Sequence, residues 1–268
     1  MLHSALDMGA DSLRAAWGYR DLLRHLVLRD LRHKYKGSSL GFVWSLLHPL
    51  LMAAVYAVAF RFLAPNGIAH FPVFLLSGLL PWMFFAAALS GAVGSIADNS
   101  ALVRKVAFPR LILPLAAVAS QFVQFLLMYT VIVPLLVAFG VGASPALAAL
   151  VPLILLQVLF TVGLALALAT AYVYARDTRH LLDVGLQVWF WITPIVYSAT
   201  LLKLPPALTA VLQWNPMAHF ITGYQNIVVN HAAPTMVAFA LLTLVAAGTA
   251  AAGWMVFARY QRRFAELI

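Results

Sequence analysis

The sequence predicts an all-α integral membrane protein. It has six transmembrane helices, an N-terminal amphipathic interface helix, a short basic helix between the second and third spans, and short outer re-entrant helices before the last. Three observations predict this class. Hydrophobic residues make up 64% of the 268 residues and charged residues only 9%, a balance that soluble domains of this length do not sustain. Six uncharged runs cross the chain: Leu40–Phe60, Phe71–Ala97, Leu111–Phe139, Ala146–Ala175, Val184–Leu202 and Thr235–Ala258. Each approaches or exceeds the roughly 20 apolar residues that a hydrocarbon layer of about 30 Å demands of a helix. Finally, of the 17 lysines and arginines all but Arg61 and Lys203 sit before the first run, after the last, or in the connections after the second and fourth. This positive-inside pattern puts both termini in the cytoplasm.

The chain reads as a single transmembrane domain over 1–268. Residues 1–37 form a cytoplasmic segment with the interface helix, 38–260 the six-span body and 261–268 a cytoplasmic tail. The first 20 residues carry Asp7, Asp11, Arg14 and Arg20 with no apolar core, so no cleavable signal peptide is expected. The net charge of +9 tracks the flanks of the spans, where anionic lipid attracts it, and does not argue for nucleic acid. There is no cysteine, which removes disulfides and thiolate metal sites.

Taken in order, Tyr19–Tyr35 reads as a helix lying on the membrane. Leu22, Leu23, Leu26, Val27 and Leu31 fall on one arc, with His25, Arg29 and Arg32 opposite and Asp30 intruding on the apolar side. A basic flank that merely orients the first span is the alternative. After the second run, Asp98 or Asn99 is placed to cap a short helix that Pro109 limits to about two turns. A docking knob for a soluble partner and a plain helical connection fit that segment equally. Between the fifth and sixth runs, Leu204–Asn230 is too broken by Pro205, Pro206 and Pro216 for a span and too apolar for a solvated loop. Irregular backbone at membrane depth must be buried or line a cavity, so a pair of short half-inserted helices on the outer side is expected.

Absences narrow the function. No Asp, Glu, Lys or Arg lies inside the six runs, which argues against proton relays and ion-coupled carriers. His48, beside Pro49, reads as a packing residue. No phosphate-binding loop of the Gly-x-x-x-x-Gly-Lys-Ser/Thr type is present, and no metal-spaced His pair. Asp177, Arg179, His180 and Asp183 read as a charged loop at the membrane interface, with acid–base chemistry on a lipid-linked sugar as the rival. Aromatic residues are what the runs do contain. Trp189-Phe190-Trp191 sits mid-run, where ring faces suit either the apolar faces of sugars or simple packing.

Arg29-Asp-Leu-Arg-His-Lys-Tyr-Lys-Gly-Ser-Ser-Leu-Gly-Phe-Val-Trp44 with His48-Pro-Leu50 resembles the entry signature of type-2 ABC permeases that export cell-surface polysaccharide, O-antigen exporters in particular. Leu102–Arg110, Thr193–Tyr197 and Asn215–Met217 with Gly223-Tyr224 agree in the same order along nearly the whole chain. The resemblance implies a homodimer in the bacterial inner membrane, resting on two separate ABC ATPase subunits. It moves an undecaprenyl-pyrophosphate-linked polysaccharide and performs no catalysis of its own. No cofactor is expected in this chain; ATP and Mg belong to the partner. By the same resemblance Arg29, Arg32, Lys34 and Lys36 receive the pyrophosphate head group at a portal. Tyr56, Phe60, Trp82, Phe85, Trp189, Trp191 and Tyr197 line a glycan channel. Asp98, Asn99, Leu102, Val103, Arg104 and Lys105 form the ATPase-coupling helix, and Trp214, Asn215, Pro216 and Tyr224 an outer gate. Export of capsule or teichoic acid by the same mechanism is the near alternative, and a lipid or drug exporter of the superfamily the next.

Overall fold

A computed structural model of the chain describes residues 18–35, 70–106, 108–138, 144–198 and 206–267, together with 43, 44, 47, 50–52, 54–56, 58 and 142. All regular structure among them is helical: α1 Arg20–Tyr35, α2 Phe71–Val93, α3 Ser100–Lys105, α4 Ile112–Ala138, α5 Leu150–Tyr174, α6 Thr178–Ile192, α7 Pro206–Trp214, α8 Pro216–Val229, α9 Met236–Tyr260 and α10 Phe264–Leu267. Single 3-10 turns lead into α5 and α10. Four stretches among the described residues are long and apolar enough to cross a bilayer: Phe71–Val93, Ile112–Thr130, Pro145–Tyr174 and Met236–Arg263. The described residues are thus those of a helical, multi-pass membrane protein.

The first expected span is helical at its described positions between 43 and 58, and its ends lie outside the described residues. The fifth is corrected. Val184–Leu202 is not one helix: α6 begins earlier, at Thr178, and stops at Ile192. Pro194 is the cause, because its ring disfavours helical backbone in the preceding residue, and Thr193 is extended (φ −89, ψ 134). The non-helical stretch is buried, with Thr193 and Ile195 at 0% exposure. Its carbonyls find donors. Gln225 Nε2 lies 3.1 Å from the Pro194 oxygen, and the Tyr197 hydroxyl donates to the oxygens of Trp191 and Ile192.

Two buried clusters fix the topology. Leu26 of α1, Val103 of α3, Ile112 of α4, Val173 of α5 and Phe257 of α9 share one cluster at the basic end of the bundle. Val73 at the start of α2 and Val228 at the end of α8 share another at the far end. Helices α2, α5 and α9 therefore run toward the basic end and α4 away from it. The central core joins α2, α5 and α8 through Leu75, Phe85, Leu153, Phe220 and Tyr224. Its polar members are satisfied: Tyr224 donates to Gln157 Oε1 at 2.7 Å, and Gln157 Nε2 donates to the Pro81 carbonyl at 2.9 Å.

Helices α5 and α9 meet backbone to backbone. A Cβ added at Gly253 would stand 1.9 Å from the Gly163 oxygen, and one at Gly163 would stand 2.5 Å from the Thr249 oxygen. Only glycine permits that approach. Gly253→Leu is expected to cost more than about 3 kcal/mol, since backbone cannot repack around the added atoms. Gly248, on the same helix, has nothing within 4 Å of an added Cβ. Gly248→Leu should therefore leave the melting temperature of the detergent-solubilised protein unchanged, while Gly253→Leu lowers it or abolishes the folded peak in size-exclusion chromatography.

Candidate functional site

At the basic end, α1 does present the expected arc: Leu26 is buried and Leu22, Leu23, Val27 and Leu31 are partly so, with His25, Arg29 and Arg32 exposed. Asp30, the intruder, is paired with Arg29 at 2.9 Å. Arg29 also donates to Asn99 Oδ1 at 3.2 Å. Lys34 donates to Gln124 Oε1 on α4. Lys34 keeps more than a third of its surface exposed, yet partial desolvation of the ammonium beside α4 lowers its pKa below the ordinary value. Its hydrogen-bond partner is a neutral amide, so among the described residues the cation is partly desolvated without a counter-charge. Arg32 is exposed, and Lys36 lies outside the described residues.

The link between α2 and α4 departs from expectation in its capping. Asn99 stands at the N-cap of α3, but its side chain does not cap; it donates to the Ser95 carbonyl at 2.8 Å. Asp98 instead accepts from Arg179 Nη2 at 2.7 Å, across to the start of α6. That hydrogen bond holds the Arg179 guanidinium more firmly protonated than usual. The guanidinium also lies 4.8 Å from the Tyr172 ring centre, with Arg176 at 5.1 Å. Gly94 makes the pairing possible, because a Cβ there would stand 1.8 Å from Arg179 Nη2. On α3, Val103 is buried, Leu102 partly buried, and Arg104 and Lys105 exposed.

Of Asp177, Arg179, His180 and Asp183, expected on a loop, the last three lie on α6 and only Asp177 precedes it. This placement is what sequence reading missed. His180, Asp183, Gln187 and Trp191 recur every three or four residues along one face of α6 and are all exposed. A groove of about 480 Å³ flanks that face, lined by Tyr56, Trp82, Asp183, Leu186, Gln187, Phe190 and Trp191. Trp82 meets Phe190 edge-on at 5.7 Å, and Phe190 meets Trp191 edge-on at 5.4 Å. The period-four placement of Asp183 and Gln187 was the available signal, hidden because an uncharged run can begin only after Asp183, six residues into the helix.

Higher on α6, Trp189 of the expected channel set meets Asn215 of the expected gate set. Its Oδ1 accepts from Trp189 Nε1 at 2.8 Å and from the backbone N–H of Met217 at 3.0 Å, capping α8. Its Nδ2 donates to Thr193 Oγ1 at 3.1 Å. The Thr-Pro and Asn-Pro motifs, far apart in sequence, are one structural joint. A second groove opens beside it between Trp189, Ile192, Val211, Trp214 and Pro216. The expected residues thus fall into distinct environments. Phe85 and Tyr224 are fully buried, Trp82 and Asn215 nearly so, while Trp191 and Trp214 are 60% and 87% exposed. Phe85 packs edge-on against Trp189 at 5.2 Å. Tyr197 folds back on the end of α6, and Phe60 lies outside the described residues. No cluster of metal-ligating side chains occurs among the described residues.

The profile of the ABC-2 type transporter family matches residues 21–229. The O-antigen export system permease RfbA of Myxococcus xanthus is 33% identical, over 96% of this chain and 98% of its own length. RfbA of Klebsiella pneumoniae is 30% identical, over 92% of this chain and 95% of its own. The polysialic acid transport protein KpsM of Escherichia coli is 24% identical, over 73% and 76%.

Proposed function

The chain belongs to the ABC-2 type transporter family, and from that membership we propose that it is the membrane permease of an ATP-driven polysaccharide exporter. The reading includes two copies of the chain in the bacterial inner membrane, both termini in the cytoplasm, and two ABC ATPase subunits beneath. The substrate is an undecaprenyl-pyrophosphate-linked polysaccharide of the O-antigen class. The observation that carries it is the end-to-end match to O-antigen export permeases.

The exposed face of α6 supports it physically. Counting 1.5 Å per residue from Thr178, Asp183 and Gln187 lie about 8 and 14 Å up the helix. An exposed carboxylate and amide amid the apolar residues of α6 are costly against lipid and belong against water, a polar cargo or another protein face. Aromatic faces beside hydroxyl-binding groups suit a sugar chain. The Asp183 carboxylate disfavours an anionic polymer, which favours a neutral glycan over the capsule and teichoic acid alternatives.

The remaining assignments follow the same reading. Arg29, Arg32, Lys34 and Lys36 receive the head group, α3 docks in the ATPase, and α7 and α8 close the outer end around Asn215. Pyrophosphate would supply the counter-charge that Lys34 lacks among the described residues. Lys34→Gln should raise the concentration of pyrophosphate-linked lipid needed for half-maximal ATPase stimulation by roughly tenfold. An unchanged value would remove Lys34 from the portal. Because partial desolvation lowers its pKa, stimulation in the unaltered protein should fall as pH rises through that lowered value, and Lys34→Gln should flatten this dependence.

The function is tested in a strain lacking this chain. Lipid-linked polymer is expected to accumulate on the cytoplasmic face and surface polymer to disappear, with both reversed by the intact chain. Normal surface polymer in the deleted strain would sink the proposal.

A further inference from the structure

We propose that the segment Gln261–Leu267 is a brace that holds α3 in its docking position, with Phe264 as the positioning residue. This rests on reading α3 as the helix that engages the ATPase. Helix α3 has six residues, and isolated helices shorter than about 12–15 residues are marginal on their own. Its N-cap side chain does not cap it. Packing must therefore set its position, and Val103 is its buried residue.

What Val103 packs into includes the far end of the chain. Phe264 is fully buried in the same cluster, beside Leu26, Ile96, Ile112 and Phe257. Its ring stands edge-on to Phe257 at 5.5 Å, and α10 packs directly on α3. A second grip comes from the linker that leaves α3, where Arg110 Nη1 donates to the carbonyl oxygen of Gln261. The segment after α9 is thus clamped at its first residue and wedged under α3 by its fourth. Arg104 and Lys105 stay exposed above it. A force applied to α3 reaches α9 through Phe257 and α1 through Leu26, and is not absorbed by bending of a free loop. The alternative, a tail that merely trails from the last span, would have no use for a fully buried ring at this place.

The chain has no cysteine, so Ala101→Cys on the exposed side of α3 gives a single site for a spin label. In the assembled exporter, Phe264→Ala is expected to mobilise that label. Glycan exported per ATP hydrolysed should fall roughly tenfold, within the usual range of coupling between sites, and Phe264→Leu should restore most of both. Unchanged label mobility and an unchanged export-to-ATP ratio in Phe264→Ala would overturn the brace. If Phe264→Ala does not fold, Arg110→Ala decides: it releases Gln261 without opening the core, so a more mobile label supports the brace and an unchanged one overturns it. Reversing Arg104 and Lys105 separates the two levels. If that reversal leaves export intact, the docking role of α3 fails. If it uncouples while the Phe264 variants do not, only the brace fails.

Discussion

Replacing Arg104 and Lys105 together with glutamate is expected to abolish export while leaving the protein inserted and folded. Both side chains are exposed on α3, whereas Val103 between them and the bundle is buried. The helix therefore keeps its seat and changes only the face it offers outward. On the proposed reading of α3 as the helix that meets the ATPase, reversing two charges sets the new carboxylates against a surface that received cations, and like-charge juxtaposition at an interface costs several kcal/mol. Two readouts check it: recovery of the ATPase subunit with the permease, and polymer exported per ATP consumed. Full export by the doubly reversed protein would remove α3 from the coupling path.

The second large effect is expected at Asn215. Asn215→Ala removes the acceptor for Trp189 Nε1 and for the Met217 N–H, and the donor to Thr193 Oγ1. Loss of the cap costs about 1 kcal/mol, and each buried donor left without a partner costs about 1–3 kcal/mol more. A total of roughly 3 kcal/mol or more should appear as a lower melting temperature in detergent. Trp189→Phe removes the other half of the main bond, so the double variant should be less destabilised than the sum of the singles. Strict additivity would show that the Trp189–Asn215 bond does not tie α6 to α8. Since Trp189 also packs on Phe85, its loss is expected to disturb assembly of the helices and not only the path of a glycan.

Much of this was legible in the residues for a simple reason. Membrane burial writes itself as long uncharged runs, and α2, α4, α5 and α9 fall within a few residues of the runs that foretold them. The amphipathic arc of α1 was readable because a 3.6-residue period survives in a single sequence. The fifth run misled because hydropathy does not register backbone: Pro194 ends α6 at mid-run, while Ile195 and Val196 just after it are buried and apolar, so the run continues unbroken in sequence. Asp183 and Gln187 escaped because a run is defined by the absence of charge, so its first charged residue marks a boundary and not a site. Partnerships across the fold were not legible either. Nothing in the sequence pairs Asp98 with Arg179, joins Thr193 to Asn215 or puts Phe264 in one buried cluster with Val103.

The most direct measurement is purification of this chain from its native membrane in mild detergent, with ATP hydrolysis assayed with and without a pyrophosphate-linked glycolipid. The account predicts a stoichiometric ATP-binding subunit in the purified complex and hydrolysis that rises on addition of the glycolipid. A chain recovered alone and inert, under conditions that keep a known ABC exporter intact, would contradict it.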